Sequence, residues 1–120
     1  MALQSIPRLT AKAQQIFNRY IRTRDEGLPC ISCGSNNGNQ AGHYFSVKGF
    51  SALRFNEFNV HLQCPACNMY KYGNLAMYRI GLVDRIGHKA ILELENEAIN
   101  KRIKKWDRTE LNDIIQKYQQ

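Results

Sequence analysis

Pro29-Cys30-Ile31-Ser32-Cys33-Gly34 and Gln63-Cys64-Pro65-Ala66-Cys67-Asn68 decide how this chain folds. Two C-x-x-C pairs supply four thiolates, which close the tetrahedron of a borderline-soft dication such as Zn²⁺ and leave no position for water or substrate. Such a zinc is structural, and any chemistry sits beside it. The 30 residues between Cys33 and Cys64 exceed a zinc-ribbon spacing and leave room for a β-hairpin, which predicts a treble clef. In that architecture Cys64 to Cys67 form the turn that opens a helix, and Asn68 points from its start towards the strand bearing His43.

Working outward, 120 residues with 43% hydrophobic composition suit one domain over 1–120, with an N-terminal helix in 1–29, the zinc core in 30–75 and helices in 76–120. The expected class is α+β, mostly helical. No 18-residue apolar run predicts a membrane span, and Met1 to Thr10 lacks the hydrophobic region of a secretory signal, so a cytoplasmic location is expected. In a reducing compartment, paired cysteines at this spacing hold metal rather than form disulfides. Lys and Arg number 17 against 10 Asp and Glu, a net charge of +7 that favours polyanionic partners. Both ends are basic, whereas Ile80 to Asn100 is mildly acidic.

Thr10 is read as the cap of a first helix carrying Ala13, Ile16, Phe17, Tyr20 and Ile21 and ending near Gly27. Glycines punctuate the centre, with β-like pieces at Gln40 to Val47 and Val60 to Gln63. Helical stripes follow through Leu75, Tyr78, Leu82 and Ile86, then through Ile91, Leu94, Ala98, Ile99 and Ile103 within Ala90 to Lys105. A last helix starts at Asp107, with Glu110 in capping-box position and Leu111, Ile114, Ile115 and Tyr118 on its apolar edge.

Around the knuckles stand His43, Asn59, His61 and Asn68. Phosphodiester hydrolysis needs a water deprotonated near neutral pH and a divalent cation to neutralise phosphate charge. Neutral His43 suits the first task. The amide oxygen of Asn68 suits Mg²⁺ or Mn²⁺, which retain waters and need few protein ligands. Asn59 is placed to hold the histidine's backbone through amide hydrogen bonds. His61, Asn74 and Tyr44 are supporting candidates, with His61 or Asn74 able to complete the metal site. Arg54, Lys71, Arg79, Lys101, Arg102, Lys104 and Lys105 are candidate phosphate contacts, and Tyr44, Tyr70 and Tyr72 could stack on unpaired bases. The plainer roles are core packing for His43 and His61, and a helix cap for Asn68.

The order of Cys-x-x-Cys, hairpin His, Asn five residues before Cys-x-x-Cys and Asn directly after is similar to the zinc-stapled HNH, or ββα-metal, endonucleases. Ala41-Gly42-His43-Tyr44, Leu53-Arg54-Phe55-Asn56-Glu57, Asn59-Val60-His61, Gly73-Asn74-Leu75 and Tyr78-Arg79, with the knuckles, resemble the NinG/Rap recombination endonucleases of lambdoid phages from about Thr10 to the C-terminus. The resemblance implies a phage- or prophage-encoded enzyme that cuts Holliday junctions and D-loops in the bacterial host. It assigns Cys30, Cys33, Cys64 and Cys67 to zinc, His43 to the general base, Asn59 to the brace and Asn68 to the catalytic metal. Many HNH enzymes carry an Asp or His before the base as a second metal ligand, and here that residue is Gly42. Some relatives also carry a cysteine-containing segment ahead of this region, which this sequence lacks. The competing reading is a non-catalytic zinc-finger DNA-binding accessory or regulatory module, which has no use for His43 beside Asn68. Paired nicks across a junction further imply a homodimer.

Overall fold

The computed structural model describes residues 3–119; Met1, Ala2 and Gln120 of the expected 1–120 domain lie outside the described residues. Ser5, in extended backbone, accepts the Arg8 amide at 3.3 Å and opens helix α1 (Ile6–Arg24), with Pro7 in the first turn. The cap is thus Ser5 and not Thr10. Thr10 lies inside the helix, where its hydroxyl donates to the Ile6 carbonyl at 2.7 Å. Leu9, Ala13, Phe17 and Ile21 recur at every fourth position and are buried. The chain turns away at Asp25 and at Gly27, whose φ is 85°.

Strands β1 (Gln40–His43) and β2 (Val60–Gln63) pair antiparallel, with Gln40 opposite Gln63 and Gly42 opposite His61. Side chains alternate across a strand. Ala41, His43, Val60 and Leu62 therefore share one face, while Gln40, Gly42, His61 and Gln63 share the other. The first strand stops at His43 instead of running to Val47, because Asn59 takes over the pairing groups of Phe45. Val60 and Ala41 pack on the α1 core. Arg24 and Asp25 moor the hairpin to the helix end: Arg24 donates to the Glu57 and Val60 carbonyls at 2.8 Å each, and Asp25 accepts Leu62 N at 2.9 Å.

A π-helical turn (Ala66–Tyr70) opens within the second knuckle, and helix α2 (Leu75–Asn100) begins only after a loop. The helix expected to open at Cys64 to Cys67 thus starts there but stops after one turn, since Tyr72, Gly73 and Asn74 all have left-handed φ values of 51°, 87° and 45°. Gly87, with φ 83° and ψ 162°, breaks α2 between its two apolar stripes. Tyr78, Leu82 and Ile91 pack on Ile31 of the first knuckle, and Leu94 and Ala98 pack on Leu53. Leu75 and Ile99, expected on these stripes, are exposed.

The helix also ends at Asn100 rather than Lys105. Residues 101–106 run extended along Ser51, which exchanges hydrogen bonds with Lys104 and accepts the Trp106 indole N–H at 2.9 Å, so Ile103 faces solvent. Helix α3 (Arg108–Tyr118) starts with the anticipated capping box, Asp107 accepting Glu110 N at 2.8 Å. It lies parallel to α1. Arg108 reaches the Gln4 carbonyl at one end, and Tyr118 stacks edge-on against Phe17 at the other, with ring centroids 4.9 Å apart. Each fully buried large side chain of this core contributes about 1.5–3 kcal/mol. No helix among the described residues is long and apolar enough to cross a membrane.

Candidate functional site

The two knuckles converge so that the Sγ atoms of Cys30, Cys33, Cys64 and Cys67 all lie within 4.8 Å of one another. A Zn–S bond of about 2.3 Å gives a tetrahedral edge of about 3.8 Å. The separation of 3.7 Å between Cys33 and Cys64 matches it. Backbone amides already address the sulfurs: Cys64 N lies 3.3 Å from Cys30 Sγ and Cys67 N 3.5 Å from Cys64 Sγ. These donors stabilise thiolate charge. Without a cation the thiols diverge, with burial pushing Cys67 up to about 12 and hydrogen bonds from Ser35 drawing Cys33 down to about 6. The four cysteines fit a metal such as zinc.

His43 ends β1 facing α1. Its Nε2 lies 3.1 Å from the Arg54 carbonyl oxygen. The Arg54 carbonyl only accepts, whereas the Gln14 amide nitrogen, 3.4 Å from the same Nε2, only donates; the shorter contact assigns the proton to Nε2 and leaves Nδ1 as the basic nitrogen. Burial lowers the His43 pKa, opposed in part by that carbonyl, and the ring is neutral at pH 7. Arg54 Nε donates to Gln14 Oε1 at 2.8 Å, and Gln14 Nε2 donates to Asn18 Oδ1 at 2.8 Å. An α1 polar row thus borders the histidine. Sequence reading missed Gln14 and Asn18 because their only local signal is an i, i+4 amide pair between core positions.

Asn59 is fully buried and fully used. Its Oδ1 accepts Phe45 N at 2.8 Å, and its Nδ2 donates to the Phe45 and Leu53 carbonyls at 3.0 and 3.1 Å. The grip falls on the residues beside His43 and Arg54 and not on the histidine's own backbone. It fixes the segments that carry the imidazole and the Arg54 carbonyl.

Asn68 points, as expected, to the strand that bears His43, but to its far end. Its Nδ2 donates to Gln40 Oε1 at 2.8 Å, on the Gly42 face of the hairpin, and among the described residues its Oδ1 has no hydrogen bond. Among the described residues His43 and Asn68 share no hydrogen bond, and strand alternation puts Gln40, which Asn68 holds, on the face opposite His43. Gly42, on the strand between them, leaves no room for a side chain unless Gln63 shifts: a Cβ would meet Gln63 Oε1 at 1.9 Å. That Oε1 is buried without a partner, while Gln63 Nε2 holds Ser32 Oγ and the Gly73 carbonyl.

The other expected residues have other neighbours. His61 is buried with Nδ1 3.4 Å from the Tyr78 hydroxyl; burial and then the Arg24 charge pull its pKa to about 3, and nothing links it to Asn68. Asn74 donates to Cys67 Sγ at 3.5 Å and so serves the knuckle. Tyr44 packs between Phe45 and Tyr78. Of the basic residues, Arg79 is paired with Glu95, Lys104 with Glu110, and Arg102 lies over Phe50 and donates to the Gly49 carbonyl. Lys71, Lys101 and Lys105 are exposed and have no ion pair among the described residues. A cleft of about 690 Å³ lined by Arg24, Asp25, Phe58, His61, Arg85 and Tyr118 includes neither His43, Asn68 nor any cysteine.

Residues 1–120 match a protein-family model described as Bacteriophage Lambda NinG protein. Protein ninG of Escherichia phage lambda is 46% identical over 111 residues, covering 91% of this chain and 53% of the relative. Protein ninG of Escherichia phage 933W is likewise 46% identical over 111 residues, covering 91% and 54%. Protein ninG of Salmonella phage P22 gives 46% with 91% and 53%. The chain spans about half the length of these curated relatives. No solved structure matches it.

Proposed function

Because this chain belongs to the bacteriophage NinG family, we propose that it hydrolyses phosphodiesters in branched DNA, Holliday junctions and D-loops, as an HNH-type endonuclease built on a treble-clef zinc core. The observation that carries the reading is His43, a neutral imidazole whose Nε2 proton is committed to the Arg54 carbonyl and whose Nδ1 is left basic. A purely structural zinc finger has no need of such an arrangement. His43 Nδ1 takes the proton of the attacking water. The Arg54 guanidinium, ordered by Gln14, binds the phosphate. Asn59 keeps histidine and carbonyl in register.

Zinc on the four cysteines ties the knuckles together. Mg²⁺ or Mn²⁺ would be held at Asn68 Oδ1 and supply charge neutralisation at the phosphate, with waters in the remaining positions because Gly42 offers no ligand. The phosphate then spans the hairpin edge from the His43 face to the Asn68 face. Action in the cytoplasm of the bacterial host follows from a phage recombination role. Leu92, Ile99 and Ile103 are exposed along the second half of α2 and the segment after it, and form the face proposed for a homodimer that makes paired nicks.

The test is cleavage of a four-way junction, a D-loop and linear duplex with Mg²⁺. His43→Ala should lose about 100-fold or more in rate while keeping zinc and DNA binding. Equal cutting by the variant overturns the mechanism. The separation of His43 and Asn68 on two faces favours one alternative, a non-catalytic DNA-binding accessory; that protein would bind junctions and cut none. Solution mass tests the dimer, and a strict monomer on and off DNA refutes it.

A further inference from the structure

We infer that the loop from Met69 to Asn74 is a stacking platform for unpaired bases at the branch point of the DNA, an inference that rests on the branched-DNA reading above. Tyr70 is 77% exposed and Tyr72 91%, and neither ring pairs with another aromatic among the described residues. Exposed tyrosines on a loose loop would carry no meaning. This loop is anchored at every turn: Lys71 N donates to the Ala66 carbonyl at 3.0 Å, and Gly73 N donates to the Cys67 carbonyl at 2.8 Å. The Gly73 carbonyl accepts Gln63 Nε2 at 2.6 Å, and Asn74 Nδ2 addresses Cys67 Sγ.

The second knuckle therefore sets the loop's shape. Within it Tyr72 is held at φ 51°, a left-handed conformation costly for a side chain with a Cβ, between Lys71 and the left-handed Gly73 and Asn74. Strain fixed by buried hydrogen bonds, ending in a ring that touches solvent, is the geometry of a presented group. Lys71 lies between the two tyrosines in sequence, exposed and without an ion pair among the described residues, and the chain carries +7 overall. Its charge is available to a phosphate next to the bases that the rings would take. Asn68 immediately precedes the loop. Bases inside a duplex are already stacked on one another, so the rings gain only where bases are unpaired, which makes the loop selective for a branch without reading sequence.

The experiment compares binding to a fixed four-way junction carrying 2-aminopurine at its crossover with binding to linear duplex of the same sequence, in the zinc-loaded full chain without Mg²⁺. Tyr70→Ala with Tyr72→Ala should weaken junction binding about tenfold per ring lost, leave duplex binding within about twofold, and abolish quenching of 2-aminopurine. Tyr70→Phe with Tyr72→Phe should restore both. An unchanged junction-to-duplex ratio with unchanged quenching in the alanine variant overturns the proposal. So does an unchanged ratio together with a lowered solution mass, which would assign the rings to a second copy of the chain. Cutting is not needed for this readout, so a His43→Ala protein that cuts like the parent would sink the nuclease mechanism and leave the platform standing.

Discussion

At the scale of single residues, Gly42 and Gln63 form a complementary pair. Gly42→Ala should destabilise the protein by about 1–3 kcal/mol, because its Cβ would meet Gln63 Oε1 and the Gln63 side chain is held by Ser32 and the Gly73 carbonyl. Thermal melts would show recovery in Gly42→Ala combined with Gln63→Ala, and additive losses would refute the pairing. His43 and His61 give a pH signature. Both have pKa values lowered by burial, His61 to about 3, so the unfolded chain binds more protons below about pH 6.5 and stability falls as pH drops from there towards 3. His61→Gln should flatten that loss in denaturant melts. For catalysis the same sign places the acid limb of the pH–rate profile below pH 6.5, and a limb above 6.5 would exclude His43 as the base. The cysteines and Asn59 were legible because short spacings carry their meaning. Gln14 was not, since its partners Arg54 and His43 lie 40 and 29 residues away.

At the scale of elements, the ends of α3 and α1 show what local sequence encodes. The Asp107–Glu110 capping box is a motif of four residues and forms as read. Asp107→Ala should cost about 1 kcal/mol, measured by chemical denaturation. The cap falls at Ser5 and not at Thr10 because Pro7 marks a first turn that apolar periodicity alone does not reveal. The false continuation of α2 past Asn100 has a tertiary cause: Ser51 and Ala52 capture the backbone of 102–106, which no helical stripe reports. Gly81 is the tightest contact between α2 and the first knuckle, where a Cβ would lie 1.9 Å from the Ile31 carbonyl oxygen. Gly81→Ala should therefore loosen Ile31 and lower metal affinity, visible as faster zinc transfer to a chromophoric chelator; unchanged transfer would show that α2 and the knuckle are uncoupled.

At the scale of the whole molecule, α1 and α3 with Val60 of the hairpin form one cluster, Ile31 of the first knuckle with Tyr78, Leu82 and Ile91 of α2 a second, and Cys30, Cys64 and Cys67 a third. Chelation should expose amides of residues 28–75 to hydrogen exchange before those of α1 and α3, and simultaneous loss of all would mean that metal and helical core are one cooperative unit. The division also explains why the cysteine cluster was easier to read than the residues around it. Thiol spacing fixes a local geometry, whereas the faces of a four-residue strand depend on what packs on each side.

The parallel packing of α1 and α3 has a consequence for synthesis. Phe17 and Ile21 leave the ribosome well before the surface that covers them, which includes Leu111, Ile115 and Tyr118. A nascent chain paused before α3 would display an open apolar furrow along α1, so the vulnerable interval for this protein is translation itself, and chaperone occupancy should concentrate there.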